Sequence, residues 1–194
     1  MTGSDAPGAA TLPTGRDVPA APALVARAGA LVQDVPDHPQ PGVTFKDITP
    51  LLADGPAFAA VVEHLVRRAP APVDLVVGME ARGFIVGAPV AVGLGAGFVP
   101  VRKAGKLPRA TLASAYDLEY GSAVLEIHPD TIPAGARILV VDDVLATGGT
   151  AAATVELLEQ AGGVVVGLAF LMELTFLGGR AKLPGREIDV LLSY

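Results

Sequence analysis

The chain has 194 residues, 14 basic against 20 acidic side chains for a net charge of −6, and no cysteine. That length suits one domain with a short appended segment, large enough to bury about 70% of its unfolded surface without staples. The absence of cysteine excludes disulfides, thiolate nucleophiles and cysteine-ligated metals, and the acidic balance argues against nucleic-acid binding through bulk charge.

Residues 1–22 are rich in Ala, Pro, Thr and Gly, and carry Asp5 and Asp17 but no apolar core of a secretory signal. They are expected to form a disordered tail, leaving 23–194 as a single domain. Leu24, Val25, Ala28, Leu31 and Val32 recur at helical spacing, which predicts a helix over 23–32. Asp34 to Gly42, with Pro36, Pro39 and Pro41, reads as a loop. Asp54-Gly55-Pro56 is a helix start, and Phe58, Val61, Val62, Leu65 and Val66 then mark one apolar face up to Arg68.

Strands and helices alternate from there: a buried strand over 73–78, a helix over 82–92 and a strand over 98–101. The uncharged run Gly83 to Val101 is long enough to cross a bilayer, but five glycines, Pro89 and Pro100 break it into helix, turn and strand. Ala123 to Ile127 alternates as a half-exposed strand, and Ser114 to Gly121 before it reads as part of a long unstructured connection, of a kind that is uncommon unless functional or disordered. A strand over 138–141, a helix over 150–161, a strand over 164–171 and an edge strand over 190–192 complete the chain. Continuous Val/Ile/Leu strands alternating with helices imply an α/β fold, with a mostly parallel central sheet flanked by helices. In such folds the ligand sits beyond the carboxyl ends of the strands.

At one such end stands Asp142-Asp143-Val144-Leu145-Ala146-Thr147-Gly148-Gly149-Thr150. A core has no use for two adjacent acids after an apolar strand, because an unpaired buried charge is costly. The turn offers backbone N–H groups and Thr hydroxyls to a phosphate, and the following helix adds its positive end. The carboxylates can accept hydrogen bonds from ribose hydroxyls. His38, His64 and His128 have no metal-ligand spacing.

This stretch resembles the phosphoribosyl-pyrophosphate (PRPP) signature of the type I phosphoribosyltransferases, in wording most like the adenine phosphoribosyltransferases. Further segments between residues 24 and 182 match the same family. The resemblance implies that fold, with a mobile loop over the site, and transfer of a phosphoribosyl group to adenine, yielding AMP and pyrophosphate. Ala146, Thr147, Gly148, Gly149 and Thr150 would hold the 5-phosphate, and Asp142 and Asp143 the ribose hydroxyls. Gly42 to Pro50 is similar to the adenine-side segment, so Phe45 would stack on the base while Thr44 and Lys46 give backbone contacts. Gly78 to Phe84 is similar to a pyrophosphate loop that carries a non-proline cis peptide, here between Glu80 and Ala81, with Arg82 on the leaving group. Arg102, Lys103 and Lys106 form the densest basic cluster of an acidic chain, and are expected on pyrophosphate as its charge develops. Glu119 and Tyr120 match the family's mobile hood, with Glu119 at the N7 proton of adenine and Tyr120 on the pyrophosphate side. Glu173 to Arg180 resembles a C-terminal wall and hinge. The resemblance also implies Mg²⁺ carried on PRPP and a homodimer, while the lack of cysteine fits a cytoplasmic setting, and the acidic balance and the broken apolar run give no expectation of a nucleic-acid or membrane partner. Other purine bases stay open, because base choice rests on the segment around Phe45. A PRPP-binding regulator without catalysis would usually add a basic DNA-binding domain, for which residues 1–22 are too short and too acidic.

Overall fold

The computed structural model describes residues 21–117 and 122–194. In chain order the elements are α1 (Ala21–Ala30), β1 (Gln33–Val35), β2 (Phe45–Asp47), α2 (Thr49–Ala53), α3 (Gly55–Arg68), β3 (Leu75–Met79), α4 (Arg82–Leu94), β4 (Gly97–Lys103), β5 (Leu112–Asp117), β6 (Ser122–Ile127), β7 (Arg137–Leu145), α5 (Gly149–Gln160), β8 (Val164–Glu173) and β9 (Ile188–Ser193). Asp54 caps α3 as expected, its carboxylate accepting the Ala57 N–H at 3.0 Å while also binding Arg27.

Seven strands form one sheet in the order β5-β6-β4-β3-β7-β8-β9. The five strands from β4 to β9 run parallel, β6 is antiparallel to β4, and β5 is antiparallel to β6. Alternate residues of the central strands feed two cores. Val77, Ile138, Val140, Leu168 and Phe170 pack on the α5 side. Val76, Leu139, Val141 and Ala169 pack with α1, α3 and α4 on the other face. Burial on both faces is why these strands read as unbroken apolar runs.

From β3 the chain passes through α4 to β4 on one side, and from β7 it passes through α5 to β8 on the other. The strand order therefore reverses between β3 and β7, the place where an open α/β sheet parts into a ligand crevice. The β3–β7 ladder stops at Gly78↔Val141, whereas β8 accompanies β7 up to Leu145↔Glu173. The last four residues of β7, beginning with Asp142, thus lose one neighbour and border an opening.

Four local expectations need correction. Helix α1 starts at Ala21, inside the segment assigned to the tail, whose residues 1–20 lie outside the described residues. Asp34 and Val35 are not loop but half of a two-stranded ribbon with Phe45 and Lys46, too short and polar to show a period. Ser114 to Asp117 is not an unstructured connection. It belongs to edge strand β5, which pairs with β6 in six register positions from Leu112↔Ile127 to Asp117↔Ser122. Small, exposed Ala113 and Ala115 left this strand without an apolar signal. Asp142 and Asp143 lie within β7 rather than after it, because β8 continues to pair there. Among the described residues no helix is long and apolar enough to cross a membrane.

Candidate active site

A cavity of about 410 Å³ fills the crevice between the carboxyl ends of β3 and β7. It is bordered by the turn Ala146 to Thr150, by Asp142 and Asp143, by Glu80 to Arg82, and by Lys103. Every residue expected at the 5-phosphate and ribose positions is thus brought to one place, together with two of the expected cations.

The floor is a pair of acids. Asp143 is 4% exposed, and its Oδ2 lies 3.0 Å from Arg82 Nε. Asp142 Oδ1 accepts the Asp143 N–H at 2.9 Å. Burial pushes the Asp142 carboxyl well above the usual carboxylate range, and the neighbouring Asp143 charge pushes it further. Burial raises Asp143 too, against the opposing pull of Arg82. Beyond the Arg82 guanidinium at Asp143, the pair offers carboxylate oxygens to donors entering the cavity.

Glycine governs the approach. A Cβ on Gly83, in the first turn of α4, would stand 2.6 Å from Asp142 Oδ1, so only glycine lets the helix start against the acid. Gly148 precedes α5 in the left-handed region (φ 78°), turning the loop so that the helix N-terminus faces the cavity.

The Glu80–Ala81 peptide is cis, as the family resemblance implied. Glu80 then reaches across to the basic strand end: its Oε2 accepts Arg102 Nε at 3.2 Å and the Lys103 N–H at 3.1 Å. Burial works to raise Glu80, but these hydrogen bonds outweigh it and hold the carboxyl below its usual range. On the far side, the Gly105 N–H donates to Glu126 Oε2 at 3.0 Å and Arg102 Nη1 donates to the Lys106 carbonyl at 3.2 Å. The basic turn is therefore clamped by two carboxylates. Neither carried a role in the sequence reading, since an acid beside a cation cluster reads as a surface pair.

The cations divide. Lys103 borders the cavity, whereas Arg102 is engaged with Glu80 and lies 6.0 Å from the Phe84 ring, and neither Arg102 nor Lys106 borders the cavity. The adenine-side residues stand next to it rather than in it. Phe45 stacks against the Arg82 guanidinium (4.9 Å) and meets the His38 ring edge-on (5.2 Å), so Arg82 connects the expected base site to Asp143. Thr44 is exposed. Lys46 Nζ pairs with Asp34 at 2.5 Å and sits 4.1 Å over the Tyr194 ring, so its side chain is engaged away from the cavity. Glu119 and Tyr120 lie outside the described residues.

A switch-point crevice with a glycine turn at a helix N-terminus, two buried acids and facing cations defines a binding site for a phosphorylated sugar. The comparisons make that class specific. A family model described as a phosphoribosyl transferase domain matches residues 51–187. The adenine phosphoribosyltransferase of Acidothermus cellulolyticus is 61% identical over 164 residues, covering 84% of this chain and 93% of its own. That of Nocardioides sp. is 59% identical over 180 residues, covering 90% and 97%. The crystal structure of the Thermoanaerobacter pseudethanolicus adenine phosphoribosyltransferase matches with a TM-score of 0.85 at 48% identity, covering 88% of this chain and 99% of that one. The Saccharomyces cerevisiae counterpart, solved with an imino-altritol bisphosphate and adenine, matches with a TM-score of 0.83 at 40% identity, covering 88% and 99%. The chain belongs to the type I phosphoribosyltransferase family, and within it to the adenine phosphoribosyltransferases.

Proposed function

We infer that the protein transfers the 5-phosphoribosyl group of PRPP to adenine, releasing AMP and pyrophosphate, the reaction of purine salvage. The observation that carries this is the convergence of Asp142, Asp143, Arg82 and the Ala146–Thr150 turn on one crevice. Adenine N9 attacks the anomeric carbon as its bond to pyrophosphate oxygen breaks, with inversion. The turn holds the 5-phosphate, and Asp142 and Asp143 orient the ribose hydroxyls. Arg82 and Lys103 meet the charge that builds on the leaving group, where electrostatic stabilisation is strongest. Arg102 and Lys106 join them once the basic turn engages the donor. Phe45 supports the base, with backbone groups of Thr44 and Lys46 at its edge. Glu119 takes or holds the N7 proton, and Tyr120 contacts the pyrophosphate, as the hood closes and keeps water from the ribosyl centre.

Among the described residues no three His, Asp or Glu side chains converge as a metal cage. The oxygen donors at the crevice suit Mg²⁺ bound chiefly to the substrate's own phosphate and ribose oxygens. Mg²⁺ would enter with PRPP as part of the substrate, where it would offset leaving-group charge.

A homodimer belongs to the same reading, supported by the exposed Lys103 and Lys106 on a turn that in the family reaches a neighbouring subunit. So does a cytoplasmic setting, where PRPP, a polyanion that does not cross membranes, is met. The test is product stoichiometry: equal amounts of AMP and pyrophosphate, abolished by EDTA and restored by Mg²⁺. Pyrophosphate appearing without AMP would mean hydrolysis instead of transfer. A solution mass of 19.6 kDa, that of one chain, would remove the dimer.

A further inference from the structure

Behind the phosphate turn lies a second layer to which the reaction assigns no part. After β8 the chain makes two short 3₁₀ turns, Thr175–Leu177 and Gly179–Lys182. Gly179 presses against the phosphate turn from behind. A Cβ on Gly179 would overlap the Ala146 carbonyl, and one on Gly148 would overlap the Gly179 carbonyl. Next to this contact the Leu174 N–H donates to the Leu145 carbonyl at 2.9 Å. The path of residues 145–148, and with it the direction of their N–H groups, is thus set by where residues 174–180 lie.

That segment is anchored at its start by Thr175, whose N–H and hydroxyl donate to the Tyr194 carbonyl at 2.9 and 2.7 Å, and at its Gly179 end by an ion pair. Glu173 closes β8 with its side chain only 8% exposed, a burial that a carboxylate tolerates only with strong partners. Arg180 supplies them: Nε lies 3.0 and 2.9 Å from Oε1 and Oε2, Nη2 lies 2.9 Å from Oε2, and Nη1 donates to the Ile188 carbonyl at 3.4 Å. Arg180 is the neighbour of Gly179, so the planar guanidinium fork fixes the residue that touches the phosphate turn. Neither Glu173 nor Arg180 borders the cavity.

We propose that Arg180, through Glu173, is a positioning residue for the 5-phosphate: it holds Gly179 against Ala146 and Gly148, and so keeps the turn in its phosphate-accepting shape. The proposal rests on the reading that residues 146–150 bind that phosphate. It makes a distinction that general loosening of the fold would not. Ligands that carry the 5-phosphate, PRPP and AMP, should suffer, whereas adenine and pyrophosphate, which lack it, should not.

The test is R180Q, with thermal stability recorded alongside kinetics in both directions. We expect KM for PRPP and for AMP to rise by about tenfold or more, since displacement of a binding group by a fraction of an ångström is costly. KM for adenine and for pyrophosphate should stay at the wild-type values. R180K, which keeps the charge but loses the fork, should fall between, and it replaces R180Q if that variant does not fold. Unchanged KM for PRPP and AMP in the Arg180 variant would overturn the proposal, as would an equal rise for all four ligands. The double variant T147V/T150V tests the underlying reading separately. If it weakens PRPP and AMP while the Arg180 variant does not, the turn binds phosphate and Arg180 does not position it. If neither has an effect, the phosphate assignment falls and the proposal with it.

Discussion

Asp142 shows how one residue trades stability for binding. Its folded carboxyl is raised above the unfolded value, first by burial and then by Asp143, so the native state binds more protons than the unfolded chain between those two values. The stabilising effect of protonation is complete below the unfolded value and is lost as pH rises through the folded one. Asp142→Asn removes that dependence. The variant should match wild type in acid and exceed it at pH 7 to 8, by about 2–4 °C in Tm if the charge costs on the order of 1 kcal/mol. On the proposed ribose role, the same variant should also bind PRPP more weakly, because one carboxylate oxygen becomes an amide donor. Parallel melting curves across pH check the first part, and a flat difference between the two proteins would contradict it. Gly83 makes the complementary point. Gly83→Ala places a Cβ 2.6 Å from Asp142 Oδ1, with the Val141 carbonyl at 3.0 Å behind it. We expect a loss of about 1–3 kcal/mol in a chemical denaturation series, together with a fall in activity as α4 is pushed from the acid.

At the scale of elements, the site is built where three termini meet: the end of β3, the end of β7 and the start of α5. Two of these, and the neighbouring α3, were visible in the sequence for different reasons. β7 announced itself by a run of apolar residues that stops at two acids, and α5 by the glycines before it. The Asp54 cap and Pro56 marked α3 almost to the residue. The elements that stayed hidden share a physical cause. β1, β2 and β5 are short or built of small and exposed residues, so they bury too little apolar surface to leave a period. Glu80 and Glu126, which clamp the basic turn, are separated from it in the chain and meet it only after the strands pair. No local pattern encodes such a contact. Glu119, which the proposed reaction uses at the base, lies outside the described residues. Glu119→Ala should lower kcat on the order of 10²-fold, the usual scale of a positioned acid or base, while KM for PRPP changes little. Unchanged turnover would remove Glu119 from the mechanism.

The whole molecule resolves an apparent conflict between a net charge of −6 and a polyanionic substrate. The sheet reverses between β3 and β7, and this collects Arg82 and Lys103 at one crevice while the remaining acids are spread over the chain. Local arrangement, not bulk charge, attracts the donor, so the Michaelis constant for PRPP should rise with salt less steeply than for a protein steered by its overall field. The same topology brings both Phe45 and Asp143 to Arg82, so a single cation joins the two residues proposed for base and ribose.

The most direct test of this account is a steady-state measurement of pyrophosphate release from PRPP and Mg²⁺ in the presence of adenine, hypoxanthine, guanine or xanthine. The account predicts strong turnover with adenine and little with the other three. Silence with all four bases, alongside measurable PRPP binding, would contradict it and leave a protein that recognises the donor without transferring it.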